Sequence, residues 1–330
     1  MVACGYRTGI VFDPTRPNWH NTGDRPMAWS AWYPCPESDV AVPVTEAFFN
    51  MGSVVHDAPL IPGGQLHVVL LSHGTGGTAE SLGWLARALA LAGYVVIGAN
   101  HHGNSGVEAY LPQGFLCWWE RATDLSHLLT SLATEGPFAG RLDVCRTSVV
   151  GFSLGAHTAM TTAGARTSMS NFDAWCRTNG SAATGPKEFP DVADHIPKLL
   201  DTSSVFRQSW ARRDDDVTDR RITSIIAIAP APPIRSFTTN SVAELDVPAL
   251  LITGGADVEA PNKHCAAWLL QKNEKFLHQG LGRHVGHYSF LEFPSDRSLV
   301  GKLDIFSDHP LIDRKKLHKR TTSIVLEHLK

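Results

Sequence analysis

The sequence has almost no excess of charge: 29 Lys and Arg stand against 32 Asp and Glu in 330 residues, a net −3. Phosphate binding needs a basic footprint, so this balance argues against nucleic acid as the main partner. No apolar run approaches the roughly 18 residues of a spanning helix, and no transmembrane segment is expected. Met1 to Arg7 hold no apolar stretch of the secretory kind. A secreted chain trimmed of its leader would read the same, so the compartment stays open. The six cysteines lie far apart and include no C-x-x-C, which excludes a zinc-ribbon pattern and leaves buried thiols or one or two disulfides as alternatives. Sixteen histidines are scattered, His101-His102 being the one adjacent pair, and no H-E-x-x-H motif occurs, so no metal and no cofactor are expected. Internal repeats and low-complexity tracts are missing too. What is there is 43% hydrophobic and 18% charged residues, enough to bury a large core in one big α/β domain or two modest ones.

From Gln65 the chain alternates strand and helix signals. Leu66 to Leu71 is short and nearly all apolar, as suits a strand covered on both faces. The glycine-rich Ser72 to Gly77 ends it, and Thr78 is placed to cap a helix to about Ala92, with Leu82, Leu85 and Leu89 at helical spacing and Gly93 as the stop. Further strands are expected at 94–99, 147–152, 222–229, 249–253 and 276–281, and helices at 120–134 and 313–329. This alternation implies a mostly parallel sheet with helices on both faces. Residues 6–12 and 27–33 read as an antiparallel lead-in broken by Pro and Asn. Residues 166–221 lack a clean period and carry a mixed-charge run at Arg212 to Asp216. They read as an insertion in a single 1–330 domain, helical in part (192–210). At that length a plain loop is excluded, and long insertions often serve as lids.

The sharpest local feature is Gly151-Phe152-Ser153-Leu154-Gly155, after an apolar strand and before a helix of small residues. A G-x-S-x-G nucleophile elbow requires this strand–turn–helix setting, where strain lifts the serine hydroxyl clear of the sheet. A serine needs a histidine to take its proton and an acid to orient that histidine. Asp257 follows the apolar strand 249–253 and two glycines, at the strand's carboxyl end where ligands gather. Asp246 lies before that strand, and Glu259 is the neighbouring alternative. For the base, the segment Arg283 to Phe290 offers His284 and His287. His287, after Gly286 and before an apolar anchor, is favoured. His73, His264, His278 and His157 read as structural. Two N–H donors must meet the oxyanion. Leu154 supplies one, and Thr75 supplies the other, with Gly76 as the fallback.

With these residues in place the chain resembles the serine α/β-hydrolases. More narrowly it is similar to bacterial dienelactone-hydrolase-like and platelet-activating-factor-acetylhydrolase-like proteins. The likeness runs through Gly5-Tyr6-Arg7, Asp13-Pro14 with Arg16, Trp32-Tyr33-Pro34, Leu71-Ser72-His73-Gly74 and His101 to Ser105. It continues in Trp119-x-Arg121-x-x-Asp124, the elbow, Ala229-Pro230-Ala231, Gly286 to Leu291 and Asp313-Arg314. The resemblance implies an α/β-hydrolase fold with Ser153, Asp257 and His287 as the triad. Two departures stand out: dienelactone hydrolases use a cysteine nucleophile, and the acetylhydrolases usually have histidine where this chain has Phe152.

The resulting expectation is a cofactor-free carboxylic-ester hydrolase acting on short to medium acyl esters of a small-molecule or lipid-like kind. The runner-up is a phospholipid acetylhydrolase or lipase; outside enzymes, it is a hydrolase-fold binding protein without catalysis. His102, Trp118 and Trp119 are candidate substrate contacts, with core packing as their alternative. In the insertion, Phe172, Trp175, Phe206 and Trp210 are candidate walls of a cap.

Overall fold

The computed structural model describes residues 2–37, 42–43, 48–179 and 186–330. Its ten strands are β1 (Val2–Pro17), β2 (Asp24–Pro36), β3 (Val42–Pro43), β4 (Ser53–His56), β5 (Leu66–Ser72), β6 (Val95–Asn100), β7 (Leu142–Phe152), β8 (Ile222–Ile228), β9 (Ala249–Thr253) and β10 (Leu277–Gly280). They form one sheet in the order β10-β9-β8-β7-β5-β6-β2-β1-β4-β3. The run from β6 to β10 is parallel, and β2 joins β6 and β1 antiparallel. Among the described residues the helices are α1 (Gly83–Leu91), α2 (Pro112–Leu116), α3 (Glu120–Thr134), α4 (Leu154–Thr162), α5 (Met169–Asn179), α6 (Ile196–Thr202), α7 (Ser204–Ala211), α8 (Thr239–Ala243), α9 (Ala266–Lys272) and α10 (Arg314–His328).

Alternation along each parallel strand sorts its side chains to two faces. Val68, Leu70, Val149 and Ile225 join one core with Leu125 and Leu129 of α3 and Met160 of α4. Val69, Leu71, Val150 and Ile226 join the other with Leu85 and Leu89 of α1 and Val325 of α10. Both faces are therefore covered by helices, the arrangement the apolar strand runs require.

Two expectations are corrected. The lead-in strands are not broken: β1 and β2 pair continuously from Val2↔Pro36 to Asp13↔Arg25, because each finds a partner along that whole length. Thr78 makes no side-chain cap. The Ala79 N–H is instead taken by Asn100 Oδ1 at 2.9 Å, a cap delivered from the end of β6. No disulfide joins the six cysteines; Cys4, Cys35, Cys117 and Cys265 are buried as thiols.

Residues 166–221 form the segment between α4 and β8. It carries α5, which no period announces, and then a 3₁₀ turn (Val192–His195), α6 and α7 where helix was expected. Its residues 180–185 lie outside the described ones. Glu120 at the start of α3 seats the segment: its carboxylate accepts from Ser209 Oγ (2.5 Å), Arg212 Nη2 (2.8 Å) and, from β1, Arg16 Nη1 (2.9 Å). A third apolar cluster packs there, with Phe206 and Val205 against Phe115 and Trp119.

Buried histidines make this fold acid-sensitive. Burial lowers His73 well below 6.5, and lowers His101, His157 and His318 to about 3. Between those values and 6.5 the unfolded chain binds protons that the folded chain refuses. Stability is therefore full above pH 6.5 and declines as pH falls below it. Each such histidine contributes a slope of about 1.4 kcal/mol per pH unit. Against its own burial, Arg25 and Arg16 hold Asp124 well below the usual carboxylate range, so its share is lost only at lower pH. Thermal denaturation is expected to show Tm falling steadily from pH 6.5 to about 4.5. A flat Tm over that window would mean these rings are solvated when folded.

Candidate active site

The elbow is built by close approach. A Cβ on Gly151 would meet the Gly155 carbonyl, and one on Gly155 would meet the Ser72 carbonyl, so β7, α4 and β5 converge only with glycine at both positions. Ser153 between them has φ 56° and ψ −116°, a strained conformation for a residue with a side chain. Its own N–H is anchored on the Ile228 carbonyl at 2.9 Å. The hydroxyl is thereby raised above the carboxyl edge of the sheet.

Two loops from the same edge reach that hydroxyl. His287 sits on a 3₁₀ turn after β10, and its Nε2 lies 2.9 Å from Ser153 Oγ. Its Nδ1 lies 2.8 Å from Asp257 Oδ2, on the loop after β9. The hydrogen-bond pattern assigns the tautomer: Nδ1–H donates to the carboxylate, leaving Nε2 to accept a hydrogen bond from the Ser153 hydroxyl. Asp257 is itself oriented by the Ala260 N–H, which donates to its Oδ1 at 2.7 Å. Backbone bonds stitch the loops together, from Gly255 N to Gly282 O and from Ala256 N to Val285 O, both 2.9 Å. The closing helix holds the histidine turn from behind. Ser289 Oγ donates to Asp308 at 2.6 Å, Arg314 Nε donates to Asp308 at 2.7 Å, and His318 Nε2 meets the Ser289 carbonyl at 3.1 Å. No spacing in the sequence signals these supports; the Asp313-Arg314 pair stands out there only as part of a family likeness.

The other histidines fall elsewhere. His284 turns away from Ser153, stacking on His309 at 4.1 Å and accepting from Arg283 Nε. His278 bonds Thr253, and His264 packs its ring edge-on to Trp175 in the outer cleft. His73 is fully consumed by its own loop: Nδ1–H donates to the Gly74 carbonyl at 2.6 Å, and Nε2 accepts the His101 N–H at 3.2 Å.

Two backbone amides near Ser153 are unspent. Leu154 opens α4, where N–H groups have no intrahelical acceptor. Of Thr75 and Gly76, the Gly76 N–H donates to Asn104 Oδ1 at 2.7 Å, while the Thr75 N–H has no acceptor among the described residues. Asn104 is a residue whose role no local pattern reveals.

Ser153, His287, Thr75 and Leu154 line a cleft of about 1440 Å³. Phe115, Trp118, Phe172, Trp175 and Trp210 wall one side, and Phe48, Val107, Tyr110 and Val258 form an exposed apolar lip. A Lys187–Glu259 ion pair links the insertion to the loop of Asp257. Of the three expected substrate contacts, Trp118 is in the wall. His102 and Trp119 are not, which corrects that expectation. His102 is held by Glu108 at 3.0 Å and accepts the Trp19 N–H, and Trp119 Nε1 donates to Ser209, so both are committed to tying segments together. Phe206, on α7, is likewise fully buried and does not line the cleft.

No family model matches the chain. No curated protein matches it either. Among solved structures it is similar to a ferulic acid esterase from Streptomyces cinnamoneus, at 18% identity and a TM-score of 0.65 over 99% of this chain and 89% of that one. At that identity the likeness is one of fold, and it extends from end to end: a mostly parallel α/β sheet, helices on both faces, shared with an esterase.

Proposed function

We propose that the chain is a serine carboxylic-ester hydrolase working through an acyl-enzyme. The observation that carries this reading is the Asp257–His287–Ser153 chain of hydrogen bonds, with Ser153 and His287 lining the same cleft as Thr75 and Leu154. Ser153 Oγ bonds to the ester carbonyl carbon as its proton passes to His287 Nε2. The Thr75 and Leu154 amides hold the oxyanion, and collapse expels the alcohol, which takes the proton from His287. Water, deprotonated by His287, then repeats the sequence and releases the acid. Asp257 keeps the ring in its working tautomer and stabilises the imidazolium.

The aromatic wall suits short to medium acyl groups and planar aromatic ones, and the ferulic acid esterase with this fold supports the latter. The apolar lip favours, as a second reading, a lipid-like ester of the acetylhydrolase or lipase kind. A fluorophosphonate probe should label Ser153; an unlabelled, folded protein would leave a binding protein in place of the enzyme. A p-nitrophenyl ester series, run beside a hydroxycinnamate ester and a short-acyl phospholipid, separates the substrate readings.

Residues 166–221 are read as a cap that supplies part of this wall. Trp175→Ala and Trp210→Ala should each shift kcat/KM between short and longer acyl chains by roughly tenfold, the scale of a lost pocket contact. Phe206→Ala, which empties a buried site away from the cleft, should cost about 3–5 kcal/mol of stability and leave the preference intact. Uniform scaling of all substrates by the tryptophan variants would show that the segment does not touch the acyl group.

A further inference from the structure

Arg121, on α3, is buried with no carboxylate in ion-pair contact among the described residues. Burial pulls it down to about 9, which still leaves it charged at neutral pH. Its Nη1 donates to the His73 carbonyl at 2.9 Å and its Nη2 to the Gly74 carbonyl at 3.3 Å, while Nε has no partner among the described residues. A buried cation is costly unless well hydrogen-bonded. Here it is spent on two carbonyls of one loop.

The Gly74 carbonyl and the Thr75 N–H are the two ends of a single planar peptide group, pointing in opposite directions. His73 Nδ1–H and the Gly77 N–H converge on the same oxygen, at 2.6 and 3.3 Å. Of the three donors, only the guanidinium is a full charge. A cation at the oxygen end has two effects on that amide. It fixes the plane, so the N–H is aimed without reorganisation, and it draws electron density toward the oxygen, making the N–H a stronger donor.

We propose that Arg121 is a positioning residue for the oxyanion hole, gripping the carbonyl end of the peptide whose N–H end, at Thr75, meets the developing oxyanion. The inference rests on the ester-hydrolase reading. It assigns Arg121 to the transition state rather than to substrate binding, since a ground-state carbonyl gains little from the stronger donor.

The test compares wild type, Arg121→Lys and Arg121→Met on a p-nitrophenyl ester, with inhibition by a trifluoromethyl ketone that forms a tetrahedral adduct on Ser153. Arg121→Met should lose about 10- to 100-fold in kcat with KM nearly unchanged, and lose a similar factor in affinity for the ketone. Arg121→Lys, which retains the charge, should recover part of both. Should Arg121→Met fail to fold, the same split between kcat and KM in Arg121→Lys decides. A folded variant with wild-type kcat and ketone affinity overturns the inference, as does one whose loss lies in KM alone. Wild-type protein that neither cleaves esters nor reacts with fluorophosphonate overturns the underlying reading instead.

Discussion

Ser153→Ala is expected to lower ester turnover by about four to six orders of magnitude while the protein stays folded. At about 1.36 kcal/mol per decade this is a loss of roughly 5–8 kcal/mol of transition-state stabilisation. The size follows from how the hydroxyl is held. Ser153 sits in a strained conformation, φ 56°, between two glycines whose contacts leave no room for a side chain. Alanine has a Cβ of the same size, so the elbow keeps its shape and loses only the hydroxyl. Hydrolysis by the two amides and the cleft would remain above background, since positioning and oxyanion donors do not need the serine. A folded Ser153→Ala protein with unchanged kcat would move the chemistry elsewhere in the cleft. Circular dichroism and Tm, measured alongside, separate loss of chemistry from loss of fold.

His287→Ala should be nearly as damaging, because members of such a unit fail together. His284→Ala should stay within a few-fold of wild type. The contrast is geometric: His287 bridges Ser153 and Asp257 at 2.9 and 2.8 Å, whereas His284 stacks on His309. Equal losses in the two variants would exclude His287 as the base.

The sequence alone determined the parts of this protein that local chemistry dictates. The parallel strands β5 to β9 were legible because each carries a short apolar run covered on both faces. The elbow was legible because glycine, serine and glycine at fixed spacing between a strand and a helix serve one backbone turn. Asp257 and the region of His287 followed from their places after strands, since the carboxyl edge of a parallel sheet is where its loops converge.

What only the tertiary structure supplied were the long-range contacts around these residues. His287 rather than His284 faces Ser153, a contact across 134 positions set by how Asp308 and Arg314 fold the loop. Thr75 rather than Gly76 has an unspent amide, because Asn104 takes the other from 28 residues away. Asn100 caps the helix that Thr78 was expected to cap, His102 and Trp119 hold segments together away from the cleft, and Arg121 grips a carbonyl 47 positions back. No period or spacing signals the contacts of Asn100, Asn104 or Arg121. Periodicity records which face of an element is buried, whereas a hydrogen bond between distant loops depends on where the whole sheet places their ends.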